Sequence, residues 1–224
     1  MKRCRLVLDH AAFIGANTRL RPVPLTPEIS LYLADEAVPL WQKTEEQLAE
    51  IGLPPPFWAF AWAGGQALAR YVIDHPATVA GQRVLDLGAG SGLVAIAAAK
   101  AGAAPVIAAD IDAFSEDAIA LNTAANDVHV ETLIADLLDG EEPFSSRFDT
   151  VLVGDLFYER TTAERTLAFL AGQLAAGARV LIGDPGRSYL PKDGLTKLAE
   201  YSVPVTRDLE DNEIKRTAVS ALHA

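Results

Sequence analysis

Val84-Leu85-Asp86-Leu87-Gly88-Ala89-Gly90-Ser91-Gly92 is an apolar run holding one acid, followed by glycines at alternate positions and then by the helix-forming Leu93 to Lys100. A buried strand that ends in a glycine loop and opens a helix is a ligand-binding turn. Glycine admits positive φ and lets a ligand approach main-chain atoms that a Cβ would hold off. The helix that follows supplies free N–H groups and the positive end of its dipole. Dinucleotide folds hold a pyrophosphate on this geometry, but with G-x-G-x-x-G spacing. Here Gly92 follows Gly90 by only two places, and Asp86 sits in the last turn of the strand. A carboxylate there repels a pyrophosphate and suits an amine, so the ligand's polar end is expected to be cationic or zwitterionic.

Outward from this turn, apolar runs alternate with helical stretches, the pattern of a mostly parallel sheet with helices on both faces. Strands are expected near 83–88, 106–111, 130–134, 149–154 and 179–184, with helices near 64–74, 92–101, 114–125 and 162–175. Tyr201 to Leu209 and Arg216 to His223 read as a hairpin joined by the polar turn Glu210 to Lys215. Residues 1–55, rich in proline and helical in pattern only around Thr44 to Ile51, read as a strap or lid before a single catalytic domain of residues 56–224. The first dozen residues are expected to be untied.

The motif Val84 to Gly92 resembles the first motif of the class I S-adenosylmethionine-dependent methyltransferases. That resemblance implies a Rossmann-like α/β fold with a seven-stranded sheet whose last strand runs antiparallel. It also implies that Gly88, Ala89 and Gly90 pass beneath the methionine part of the cofactor. Asp110 lies 22 residues beyond Gly88 at the tip of the second strand, where nucleoside-binding α/β folds bond ribose hydroxyls; Ile111 follows it at the same tip. Asp112 is expected on the loop beyond. Asp136 and Leu137 end the third strand. There the aspartate either accepts from the adenine amine, with the Leu137 N–H reaching a ring nitrogen, or is a solvated loop residue. Asn122 and Asn126 resemble an Asn-x-x-x-Asn pattern of methyltransferases that act on amino groups, although Asn126 reads first as a helix end.

The fourth strand ends Gly154-Asp155-Leu156-Phe157-Tyr158, and ligands bind beyond the C-terminal ends of strands in open α/β sheets. Methyltransferases of amide or nucleobase nitrogen carry Asn/Asp-Pro-Pro-Tyr/Phe here. A carboxylate without the prolines suits an aliphatic amine, which arrives as an ammonium to be bound, aimed and deprotonated. Asp155, Phe157 and Tyr158 are therefore the expected catalytic residues: Asp155 pairs with the amine, and the two rings offer cation-binding faces and apolar walls. Phe157 reads equally as a core aromatic. Gly183-Asp184-Pro185-Gly186 is a turn signal bordering the acceptor pocket and structural first.

Upstream, Trp62-Ala63-Gly64-Gly65-Gln66-Ala67-Leu68-Ala69 resembles the methyltransferase family sixteen lysine methyltransferases, and within them the branch acting on the electron transfer flavoprotein beta subunit. Thr26-Pro27-Glu28-Ile29, Phe57-Trp58-Ala59 and Asp155-x-Phe157-Tyr158 support that branch. Ala63 stands where proline is more usual. The resemblance implies that Trp62 covers the cofactor, that Asp155 and Tyr158 serve the target lysine, and that the substrate is the flavoprotein subunit, with a ribosomal protein as a further substrate. A small-molecule or other amine N-methyltransferase on the same fold is the alternative.

Composition agrees with one α/β enzyme domain: 224 residues, 50% apolar and 22% charged. A net charge of −11 disfavours a nucleic-acid partner and favours a lysine-bearing one. No apolar stretch reaches the roughly 18 residues of a membrane span, so no membrane partner is expected. Cys4 is the single cysteine, and no Cys/His cluster has metal-ligand spacing, so no metal is expected. The alanine-rich composition and the lack of a presequence lead to the expectation of a bacterial, cytoplasmic enzyme.

Overall fold

The computed structural model describes residues 9–34, 55–139, 147–205 and 214–223. The expected helical pattern at Thr44 to Ile51 lies outside them. At the centre is β3 (Val84–Leu87), buried along its whole length. It pairs in parallel with β4 (Val106–Asp110) on one side and β6 (Thr150–Gly154) on the other. The sheet continues outward through β5 (Glu131–Ile134) and β7 (Arg179–Asp184). It ends in β9 (Ile214–Leu222) and β8 (Leu195–Pro204), giving the order β5-β4-β3-β6-β7-β9-β8. β9 runs antiparallel to β7 and to β8, so this is the seven-stranded, mostly parallel sheet expected.

Near-continuous apolar runs fit strands that are covered on both faces. Val84 faces a core shared with helices α2 (Ala63–Asp74), α3 (Leu93–Lys100) and α4 (Ala113–Ala125). Leu85 and Leu87 face the opposite layer, where α5 (Arg160–Ala175) contributes Ala163 and Leu170. Strand alternation puts Asp86 on the face of Val84, toward α3. That single step of register points the strand's one carboxylate at a helix N-terminus.

Two segments differ from expectation. The hairpin begins earlier, at Leu195, because the first half of β8 is an outer edge strand with mostly exposed residues. Leu195, Leu198 and Ala199 there fall out of strict alternation, with a register shift between Lys197 and Ala199, so the period-two signal of a strand is missing. The N-terminal strap carries defined elements over its described part; of the first dozen residues expected to be untied, 1–8 lie outside the described residues. Asp9 caps α1 (His10–Asn17), accepting from the Ala12 N–H. β1 (Arg19–Pro22) and β2 (Ser30–Leu33) then form an antiparallel pair. Val23, Ile29 and Leu31 are fully buried in the main core. α4 holds this hairpin through its amides. Asn122 Oδ1 accepts from Tyr32 N and Asn126 Oδ1 accepts from Ser30 N, while Asn126 Nδ2 donates to Ser30 O. Asn126 does end α4, and its side chain also satisfies the backbone of β2.

Candidate active site

Gly88, Gly90 and Gly92 all take positive φ, at +70°, +50° and +78°. Gly92 is the left-handed N-cap of α3. The loop therefore turns back under the sheet end in a conformation that other residues enter only with strain. Asp86 Oδ2 accepts from Ala95 N at 2.9 Å, satisfying one of the free donors of the first turn of α3. The carboxylate is buried, and burial pushes its pKa up to about 7, with the charge of Asp110 adding to the effect.

Asp110 bridges two loops at the tip of β4: Oδ2 accepts from Gly90 N at 2.7 Å and Oδ1 from Asp112 N at 2.9 Å. Asp112 is not a second copy of that function. It caps α4, accepting from Phe114 N. Ile111 is 72% exposed although apolar, a ledge beside the Asp110 carboxylate. Asp136 is ion-paired rather than merely solvated: Oδ2 accepts from Arg165 Nη2 at 2.9 Å, and Oδ1 accepts from Leu138 N. Leu137 is buried next to it.

The other end of the site is built where α2 meets β6 and β7. A Cβ on Gly64 would lie 2.1 Å from Gly183 O and 2.6 Å from Asp155 Oδ2; one on Gly154 would lie 3.1 Å from the Gly65 backbone. The paired glycines thus let the N-terminus of α2 rest directly on two strand ends. There Asp155 Oδ2 accepts from Gly65 N at 2.9 Å, an anion at a helix N-terminus. Asp155 has φ +59°, a strained conformation of the kind that persists at functional positions. Its Oδ1 accepts from Arg187, Nη2 at 2.6 Å and Nε at 3.1 Å. Burial still leaves the carboxylate above the ordinary aspartate pKa, with Arg187 and the α2 N–H groups pulling it down.

Trp62 precedes α2 and donates its indole N–H to Phe57 O at 3.0 Å. The rings of Trp62 and Tyr158 each stand 5.9 Å from that of Phe57. Phe57 and Tyr158, at 42% and 48% exposed, form the rim. Phe157 points the other way: it is fully buried in the core under β6 and does not line the cavity. Consecutive residues leaving a strand alternate, so Tyr158 is at the mouth and Phe157 supports the sheet end.

Arg187 is the site residue that sequence reasoning missed. The turn after β7 aims it: Asp184 Oδ1 accepts from Gly186 N and Arg187 N, each at 2.7 Å. Asp184 itself is buried, its pKa pushed up to about 6. The available signal was the Asp-Pro-Gly-Arg turn at a strand end, which reads as punctuation until its neighbours are known.

These residues line one cavity of about 800 Å³ that runs from Asp136 and Ile111, past Asp110 and Asp86, to Trp62, Asp155, Tyr158 and Arg187. This is within the range of small-molecule sites. It offers a buried carboxylate for a cation, a tip carboxylate for hydroxyls and an apolar end for a base, a set of acceptors and apolar surface that fits S-adenosylmethionine. Among the described residues no group of three His, Cys, Asp or Glu is placed to hold a metal.

Fold and cavity together define a class I S-adenosylmethionine-dependent methyltransferase. The magnesium protoporphyrin IX methyltransferase of Synechocystis PCC 6803, solved with S-adenosylmethionine bound, shares the fold with TM-score 0.51 at 21% identity, over 72% of this chain and 80% of that one. Residues 67–156 match the family model described as ribosomal protein L11 methyltransferase (PrmA). The chain belongs to the electron transfer flavoprotein beta subunit lysine methyltransferase family. It is 36% identical to the mouse member over 95% of this chain and 84% of that protein, and 36% identical to the human member over 93% and 80%. These relatives are animal proteins, which overturns the expectation of a bacterial cytoplasmic enzyme. Alanine-rich helices report easy helix formation, not compartment.

Proposed function

We propose that this chain transfers methyl groups from S-adenosylmethionine to lysine side chains of the electron transfer flavoprotein beta subunit. The observation that carries the reading is that the Asp155–Tyr158 end and the Asp86–Asp110 end share one cavity, with an exposed aromatic rim on the acceptor side. Asp86 holds the cationic amino end of the cofactor, Asp110 its ribose hydroxyls, and Ile111, Asp136 and Leu137 its base. Gly88, Ala89 and Gly90 form the floor and Trp62 the cover. The cofactor, when bound, supplies an electrophilic methyl group on a sulfonium. What the chain adds is position and dryness, which account for most of the acceleration in such a displacement.

On the acceptor side, Phe57, Trp62 and Tyr158 give apolar walls that strip water from the incoming amine and faces that stabilise positive charge as it develops on nitrogen. A channel of that kind suits a slender alkylamine on a protein surface. The net charge of −11 favours a lysine-rich patch over a phosphate backbone.

The test is incubation of the purified chain with S-adenosylmethionine and recombinant flavoprotein beta subunit, followed by peptide mass spectrometry. Mass gains of one methylene unit each, localised to lysine, are expected. Ribosomal protein L11, included because of the match over residues 67–156, serves as the competing substrate. Methylation of L11 alone would move the substrate, and turnover of free amines without protein methylation would overturn the reading.

A further inference from the structure

The Asp155 carboxylate faces the acceptor end already occupied. Oδ2 is held by the Gly65 N–H, and Oδ1 by two nitrogens of Arg187. The pair is sequestered, with side chains 9% and 19% exposed, and the guanidinium also lies 5.9 Å from the centre of the Trp62 ring. Both members line the cavity. The nucleophile in methyl transfer is the neutral amine, because an ammonium has no lone pair. A lone buried carboxylate would bind lysine as the ammonium and stabilise the unreactive form.

We infer that Arg187 is a positioning residue that masks the Asp155 carboxylate, so that the acceptor site selects the target amine in its neutral, nucleophilic form. The inference rests on the lysine-methylation reading above and deepens it. With the carboxylate paired, a desolvated ammonium gains no uncompensated counter-charge from Asp155, and the nearby guanidinium repels it. The released proton leaves through the exposed rim before the amine is enclosed. The aromatic faces then stabilise the positive charge as it develops on nitrogen, later than the step at which a free carboxylate would have trapped the amine.

The other charged groups around this pair do not offer a substitute. Asp184, from the turn after β7, directs Oδ1 at the Gly186 and Arg187 N–H groups and does not line the cavity. The N-terminus of α2 adds positive dipole to the side of Arg187. At the start of α5, Glu159 caps its own helix and Arg160 lies over the Tyr189 ring. Asp86 and Asp110 face the cofactor end, tied to Ala95 N and to Gly90 N and Asp112 N.

The experiment is the pH dependence of kcat and KM for the flavoprotein subunit with wild type, Arg187→Gln and Arg187→Lys, together with S-adenosylhomocysteine affinity for each. For Arg187→Gln, the expected result is unchanged affinity for the by-product and a lower KM. The acid limb of kcat should move up by about one pH unit, a loss of roughly tenfold at neutral pH that is recovered on raising the pH. Arg187→Lys keeps the charge and should restore most of the wild-type profile; it also carries the test if the glutamine variant folds poorly. A fall in kcat by the same factor at every pH would make Arg187 merely structural and overturn the inference. Faster turnover at neutral pH would make it a competitor of lysine and overturn it too. If wild type gives no methyl-lysine, the functional reading fails and takes this inference with it. A wild-type product with an unshifted Arg187→Gln profile overturns the inference alone.

Discussion

The backbones of Gly64 and Gly183 touch: a methyl on either would stand 2.1 to 2.2 Å from the other's carbonyl oxygen. This contact seats the N-terminus of α2 on the end of β7 and brings the Gly65 N–H to Asp155. Gly64→Ala has to push the helix off the sheet, since its Cβ would meet the Gly183 backbone and the buried, ion-paired Asp155 carboxylate. The expected cost is about 3 kcal/mol, read by denaturant unfolding, with methyl transfer lost ahead of global stability. Gly172 has nothing within 4 Å of its Cβ position and lies inside α5. Gly172→Ala should therefore stabilise by up to about 1 kcal/mol. Similar effects from the two substitutions would show that the glycine contact is not what sets the position of α2.

Asp86 gives the site a defined pH response. Its folded pKa, about 7, lies above the ordinary aspartate value because the group is buried. The folded protein therefore binds a proton that the unfolded chain releases, and the resulting stability is present at low pH and lost as pH rises through about 7. A cationic ligand end reverses the preference by favouring the carboxylate. Cofactor affinity should rise between about pH 6 and pH 8 with release of a proton, detectable by calorimetry in buffers of different ionisation enthalpy. Asp86→Asn keeps an acceptor for Ala95 N but removes the titration. It should bind more weakly, with a flat pH dependence over that range. An unchanged pH dependence in this variant would assign the titration to another group.

The N-terminal hairpin hangs on α4. Asn126 exchanges hydrogen bonds with both backbone groups of Ser30 and donates to Asn122 O. Replacing it with alanine takes the side-chain partners from a half-buried strand N–H and C=O, at an expected cost of about 1 to 2 kcal/mol. Amide exchange measured residue by residue should show Ser30 and Tyr32 losing protection while β3 and β4 keep theirs. Uniform loss across the sheet would mean that the hairpin is a cooperative part of the core rather than a latched cover.

The sheet was legible because each central strand is a short apolar run closed by a turn signal. The two carboxylates of the cavity were legible because Asp86 breaks an otherwise apolar strand just before the glycine turn and Asp110 ends the next strand. What escaped was pairing across long separations. Asn122 and Asn126 sit four apart and so share a helix face, but nothing in the sequence says that this face meets β2, some ninety residues earlier. Arg187 and Asp155 are 32 residues apart and meet only because β6 and β7 are neighbours. The prolines at Pro22 and Pro24 likewise hid a hairpin whose edge position tolerates them.

Asp110 is the residue on which cofactor recognition and loop geometry are hardest to separate, because its carboxylate already accepts from Gly90 N and Asp112 N. A carboxylate anchored by two N–H groups still has lone pairs directed into the cavity, and ribose hydroxyls are donors of the right kind. Asp110→Ala should weaken S-adenosylhomocysteine binding by about 3 kcal/mol, part from the lost hydroxyl bonds and part from a loosened turn. The parts separate with an analogue lacking both ribose hydroxyls. Wild type should lose about 2 kcal/mol on that analogue, and Asp110→Ala should lose almost nothing further, giving a coupling energy of about 2 kcal/mol. Asp112→Ala, which removes only the α4 cap, should cost about 1 kcal/mol of stability and leave the analogue comparison as in wild type. Additive losses in the Asp110 cycle would mean that this carboxylate shapes the glycine turn and does not touch the ribose.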